Sequence, residues 1–253
     1  MKSKVALAKM LEAGEVNDED IVLEAGPGKG ALTEKLLAKA GKVLAVEKDG
    51  RLISFLQEKF APEIAGGKLE IIHGDILNIK LEAWNIKLGE FKIIANIPYY
   101  ITGQFLRKFL AGDCEPERIV VMVQKEIAQR IVANNEKESL LSISVKAYGK
   151  PKMIMKVDKE NFSPAPKVDS TILLIGNISK KLFRDNQIEE KDFFIILHAG
   201  FAHKRKMLFG NLKEHFGLDN LEEIFATCQI DLKARAEDLP LEKWVNLTKN
   251  LNS

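Results

Sequence analysis

Leu23-Glu24-Ala25-Gly26-Pro27-Gly28-Lys29-Gly30 is the stretch that decides the fold. The apolar run before it, residues 21–23, reads as a buried strand, and residues 31–40 after it carry helical spacing. Glycines between a strand and a helix let the backbone turn tightly and come close to a ligand. Their spacing is Gly-x-Gly-x-Gly, unlike the Gly-x-Gly-x-x-Gly of dinucleotide enzymes. The run also lacks the Lys-Ser/Thr end of a phosphate-binding loop. By itself it is either a tight connection or a cofactor loop, with Glu24, Gly26, Gly28 and Gly30 as its candidate binding residues.

Working outward, apolar runs at 42–46, 69–72, 91–95 and 118–123 read as strands, alternating with helical spacing at 51–60, 102–110 and 124–133. Such alternation predicts a parallel sheet covered on both faces. Beyond residue 150 it stops. Residues 153–157 and 170–175 read as two strands with no crossover helix between them, hence an antiparallel pair at the end of the sheet. Residues 140–148 fit a strand or a helix and are read as a helix. From 188 onward only helical patterns occur, at 193–201, 206–216, 221–228 and 241–251, with Asp219 as the expected N-cap of the third. A boundary near 176–188 divides an α/β domain, 1–178, from a helical one, 179–253.

Polar residues follow the predicted strands in succession. Glu47 ends the second, with Lys48 beside it, and an acid there can accept from both ribose hydroxyls of a nucleoside. Asp75, followed by Ile76, closes the third and could accept from an adenine amino group. Asn96-Ile97-Pro98-Tyr99 closes the fourth. An exocyclic adenine amine is a poor nucleophile because its lone pair is delocalised into the ring. Acceptors beside it, the Asn96 side chain and the Ile97 carbonyl, can draw it toward a tetrahedral form. Pro98 stiffens the turn, and Tyr99 offers a face for a base extruded from its stack. Each feature alone could be a surface charge, a cap or an ordinary turn. Together, at the carboxyl ends of successive strands, they mark a ligand site.

Composition narrows the class. Apolar residues make up 46% of the chain, and no run of 18 apolar residues suggests a membrane helix. The first 14 residues show no signal-peptide core. Cys114 and Cys228 are far apart, without a CxxC pair, which argues against a zinc site or a disulfide framework and suits a reducing cytoplasm. Net charge is only +2, but it is unevenly spread. Residues 146–167 hold six Lys, Lys167 among them, against Asp158 and Glu160, and His203-Lys204-Arg205-Lys206 forms a second cluster. Either cluster is a solvated face or a phosphate contact.

The residues of 24–30, Asn96-Ile97-Pro98-Tyr99, the run 124–130 and Phe162-Ser163-Pro164-Ala165-Pro166-Lys167-Val168-Asp169-Ser170 resemble the KsgA-type small-subunit ribosomal RNA adenine dimethyltransferases. The run 201–207 with Asn211-Leu212 is similar to that family's helical domain. The resemblance implies a Rossmann-like, seven-stranded methyltransferase sheet with a small C-terminal all-α domain that contacts RNA. It implies S-adenosylmethionine as cofactor, without a metal, and transfer of two methyl groups to each of two adjacent adenines near the 3′ end of small-subunit ribosomal RNA. The substrate would be a partly assembled subunit, and the enzyme a cytoplasmic monomer. By position, Gly26, Glu47, Asp75 and Asn96 would contact the cofactor, while Asn96 also orients the amine. Tyr99 would stack on the base. Phe162 would pack on its other side or be a core aromatic.

One departure concerns the start. Family members usually begin with a basic arm and a Gln-x-Phe-Leu segment that closes over the cofactor, and Met1-Lys2-Ser3-Lys4 begins where that segment would have ended. Weaker grip on cofactor and RNA is the expectation. Three other readings stay open: an NAD enzyme, a large-subunit adenine dimethyltransferase of the macrolide-resistance type, and a factor that binds the immature subunit with methylation secondary.

Overall fold

In the computed structural model, residues 3–80, 89–112, 115–133, 137–163 and 165–251 are described. Cys114 and Pro164 lie outside them, as do Met1 and Lys2. Seven strands form one sheet in the order β3-β2-β1-β4-β5-β7-β6: β1 (Ile21–Ala25), β2 (Lys42–Glu47), β3 (Leu69–His73), β4 (Phe91–Ala95), β5 (Arg118–Gln124), β6 (Lys150–Val157) and β7 (Ser170–Gly176). The first five are parallel. Their inner members are nearly continuous apolar runs because helices cover both faces, as Phe91–Ala95 shows by being buried throughout. Lys92 is the exception in that run. Its ammonium reaches Asp20 (2.8 Å) and the Glu15 carbonyl (2.9 Å), so a buried cation is paired.

The expected antiparallel pair is present. Strand β7 runs antiparallel to both β5 and β6, so it lies inside the sheet and β6 takes the edge. Crossovers leave in opposite directions on either side of β1 and β4, and the crevice beyond their carboxyl ends is where open α/β sheets hold ligands.

The helices of this part are α1 (Lys4–Ala13), α2 (Ala31–Leu37), α3 (Gly50–Lys59), α4 (Ala61–Ala65) and α5 (Thr102–Ala111), followed by α6 (Lys125–Val132). No element is assigned to residues 1–14 from the sequence. Ser3 caps the helix that forms there, accepting from the Ala6 N–H, and Ala6, Leu7, Met10 and Leu11 enter the core.

The chain divides into two compact units, residues 1–128 with 149–178, and residues 129–148 with 179–253. Segment 129–148, assigned to the first domain from the sequence, therefore groups with the second. Its helix α7 (Leu140–Lys146) is followed by Tyr148, whose ring stacks on Phe194 and whose hydroxyl donates to Glu190. Helices α8 (Lys181–Asn186), α9 (Glu190–Gly200), α10 (Leu208–Phe216), α11 (Leu221–Thr227) and α12 (Leu241–Leu251) complete this unit. Trp244 fills its centre, and Gly200 gives it room, since a Cβ there would lie 2.4 Å from the indole. Asp219 is not the cap of α11. That place falls to Asn220, whose side chain makes no capping bond.

Candidate active site

The ends of β1, β2, β3 and β4 surround a cavity of about 530 Å³. Gly26, Glu47, Lys48, Asp75, Ile76, Ile97 and Pro98 line it, joined by Leu77, Tyr100, Ile101 and Gln104. Gly26, Gly28 and Gly30 all have φ between +60° and +76°, a conformation that glycine adopts without strain. The turn they make lets the Gly28 N–H donate to Glu47 Oε2 (3.0 Å), while the Asp49 N–H donates to Oε1 (2.9 Å). Two backbone amides thus aim this carboxylate, which is only 7% exposed.

Asp75 is held in a similar way. The Leu77 N–H donates to Oδ1 (3.0 Å) and the Lys48 ammonium to Oδ2 (2.8 Å). The Lys48 hydrogen bond, with the Leu77 amide, holds the Asp75 carboxyl below the usual range, so it is an ionised acceptor at neutral pH.

Of the Asn96–Tyr99 turn, Ile97 and Pro98 line the cavity, whereas Asn96 and Tyr99 flank them in the chain without lining it. Pro98 has φ −58° and ψ 134°, and residues Tyr99–Ile101 form a short 3-10 turn into α5. The Tyr99 hydroxyl shares a hydrogen bond of 2.5 Å with Ser170 Oγ on β7, and its carbonyl accepts from Thr102 Oγ1 (2.9 Å). The Tyr99 hydroxyl and its main-chain carbonyl are therefore both anchored. Among the described residues no hydrogen bond engages the Asn96 side chain.

Other expected site residues lie elsewhere. Glu24 sits under the glycine turn, 1% exposed, accepting from Thr33 Oγ1 (2.7 Å), and burial pushes its pKa up to about 8. It supports the loop from below, because the alternation of a strand turns residue 24 away from the crevice that Ala25 lines. Gly28 serves Glu47, and Gly30 is buried against Phe60, 2.5 Å from where a Cβ would stand, so neither lines the cavity. Phe162 packs inward. It follows a 3-10 turn at Lys159–Asn161, is 8% exposed and belongs to the core cluster with Val157 and Ile172, the alternative left open in the sequence. Lys167 lines a separate cleft of about 510 Å³ with Lys125, Asp158 and Asp169. In the helical unit Lys204 and Arg205 are exposed, whereas Lys206 pairs with Glu214 (2.5 Å).

Tyr100 and Gln104 were missed in the sequence. Their spacing of four places both on one face of the turn that enters α5, and that periodicity was the available signal. Tyr100 is 84% exposed.

The residues fit the expected cofactor. Two aimed carboxylates suit ribose hydroxyls and an adenine amine, Ile76, Ile97 and Ile101 supply apolar walls, and Gly26 lets the backbone approach. Among the described residues no His/Cys/Asp/Glu cluster could hold a metal, and no helix is long and apolar enough to cross a membrane.

Comparison with known proteins agrees with this fold. The profile of the family described as "Ribosomal RNA adenine dimethylase" matches residues 1–253. The "Ribosomal RNA small subunit methyltransferase A" of Dehalococcoides mccartyi (strain CBDB1) is 40% identical over 247 residues, covering 97% of this chain and 83% of the relative. The crystal structure of a dimethyladenosine transferase from Plasmodium falciparum is 27% identical with a TM-score of 0.84, covering 100% of this chain and 97% of that one. The crystal structure of the 23S rRNA methyltransferase ErmE shares the fold at 23% identity, with a TM-score of 0.78 and coverage of 100% and 99%.

Proposed function

The chain belongs to the ribosomal RNA adenine dimethylase family, and from that membership we propose that it transfers methyl groups from S-adenosylmethionine to the N6 of two adjacent adenines near the 3′ end of small-subunit ribosomal RNA. In this reading it acts in the cytoplasm, as a monomer, on a partly assembled subunit. The observation that carries the proposal is the meeting of Glu47, Asp75 and the Ile97-Pro98 centre of the Asn96–Tyr99 turn around one cavity at the strand ends.

S-adenosylmethionine supplies a methyl group already activated on a sulfonium. The protein's task is then alignment and charge placement. Glu47 binds the ribose hydroxyls and Asp75 accepts from the cofactor's adenine amine. The Asn96 side-chain oxygen and the Ile97 carbonyl accept from the target amine, which frees its lone pair for in-line attack. Tyr99, held at its hydroxyl by Ser170 and at its carbonyl by Thr102, presents a face to the base. Lys204, Arg205 and Lys167 are the cations offered to phosphates. Lys206 contributes only if it leaves Glu214.

The small-subunit reading is favoured over the large-subunit one because the 40%-identical relative bears a small-subunit name, whereas the likeness to ErmE is one of fold. The test is methyl transfer from labelled S-adenosylmethionine to small subunits lacking the modification, with large subunits in parallel, followed by mapping of the base. N6,N6-dimethyladenine confined to the small subunit is expected. Label only in the large subunit moves the target, and no label on either favours the binding-factor reading.

A further inference from the structure

Four carboxylate oxygens stand at the ends of β2 and β3, and each already accepts a hydrogen bond. Glu47 takes the Gly28 and Asp49 amides, and Asp75 takes the Leu77 amide and the Lys48 ammonium. Three of these four donors are main chain. They are fixed by the fold, they aim the carboxylates, and they cannot withdraw. The fourth is the end of a long flexible side chain, 74% exposed, at Asp75 Oδ2. Lys48 and Asp75 line the same cavity. An amine donor that reaches Oδ2 meets an ammonium at 2.8 Å from the same atom.

We propose that Lys48 competes with the cofactor's adenine amine for Asp75 Oδ2, and so sets both the strength and the selectivity of cofactor binding. The inference rests on Asp75 being the adenine acceptor in the proposed function. Exposed ion pairs are weak, since water screens them and ordering a lysine costs side-chain entropy. Lys48 is therefore a holder that keeps the carboxylate ionised and aimed, yet yields to a ligand. Its effect depends on what the ligand presents. An amino group draws on the carboxylate charge that the Lys48 ammonium already partly neutralises, and it must crowd in beside that ammonium at the same oxygen. A 6-oxo group would face the carboxylate acceptor to acceptor, and the ammonium between them relieves that repulsion.

The test is calorimetric titration of the full chain with S-adenosylhomocysteine and with S-inosylhomocysteine, its 6-oxo analogue. Neither carries the sulfonium charge, so removal of the lysine charge acts only locally. Lys48→Met is expected to tighten S-adenosylhomocysteine binding about two- to five-fold, the scale of an exposed ion pair. The same variant weakens S-inosylhomocysteine. Added salt, which screens the pair, tightens S-adenosylhomocysteine binding to the wild type but not to Lys48→Met. Lys48→Arg restores the wild-type order of the two ligands. Unchanged or weaker S-adenosylhomocysteine binding in Lys48→Met overturns the proposal, making the lysine a bystander or a direct cofactor contact. Asp75→Ala separates the two levels. If it weakens binding while Lys48→Met does not tighten it, only the competition falls. If Asp75→Ala changes nothing, the placement of the adenine falls and takes the competition with it.

Discussion

The shelf formed by Glu47 and Asp75 and the loop at 203–206 are both polar, both are assigned a ligand, and they are built in opposite ways. On the shelf, three backbone amides hold carboxylates that are mostly removed from water. In the loop the main chain is what is held. The buried Asn211 amide donates to the carbonyls of Gly200 (2.6 Å) and His203 (3.3 Å), and the cations of Lys204 and Arg205 extend into solvent. Methyl transfer needs aim within fractions of an ångström, which fixed dipoles provide. Phosphate contacts tolerate long side chains and gain mainly from charge, so they vary with salt.

The largest effect expected from breaking this contrast lies at the rim of the shelf. Asn96→Ala should lower kcat by about 10²–10³-fold, the scale of losing one aimed polar group at the reacting centre. Affinity for the subunit should stay near that of the wild type, and affinity for S-adenosylhomocysteine should fall by no more than the loss of one contact. Single-turnover rates beside binding curves check this, and a parallel drop in both affinities would show that Asn96 holds the local fold instead.

Next in size is Glu47→Ala. A hydrogen bond to a charged group contributes about 1.5–3 kcal/mol, so cofactor affinity should drop about 10- to 100-fold. Subunit binding at saturating cofactor should be unaffected. The loop behaves conversely. Lys204→Ala with Arg205→Ala should leave S-adenosylhomocysteine affinity alone and weaken RNA binding several-fold. The slope of log K against log salt should fall by about 0.7–0.9 for each phosphate that no longer meets a cation. An unchanged slope would leave these two cations as solvated surface.

The same contrast explains what the sequence disclosed. The shelf was legible because strand ends, glycine spacing and a Pro-Tyr turn are local patterns that the sheet then brings together. Where the outcome depends on which face a side chain takes or which partner it meets, the pattern misled. Glu24 adjoins the glycine turn in sequence, yet strand alternation sends it beneath the turn to Thr33. Phe162 lies in a segment with a site-like sequence, and its ring joins Val157 and Ile172 in the core. Lys206 looked like its neighbours until Glu214, further along on α10, took its charge. Segment 129–148 follows β5 in sequence but finds its apolar partners, such as Phe194 for Tyr148, in the helical unit. Helices α4 and α8, of five and six residues, are too short to carry a clear period.

The smallest effect concerns the carboxyl that supports the shelf without touching the cavity. Burial pushes the Glu24 pKa up to about 8, from an ordinary 4.5, against the Thr33 hydrogen bond, and the Glu47 charge adds to the rise. A raised pKa means that the fold prefers the protonated acid. Its contribution is fully present below about 4.5 and is lost as pH climbs through about 8. Glu24→Gln is neutral throughout and still offers an oxygen to Thr33. Its melting temperature should match that of the wild type near pH 5 and exceed it above pH 8, by about 2–4 °C for each kcal/mol released. A variant that matches the wild type near pH 4 but melts progressively lower as pH rises would mean that the fold favours ionised Glu24. The carboxylate would then belong with Glu47 and Asp75 as a third aimed charge, and the division between a polar shelf and its neutral support would fail.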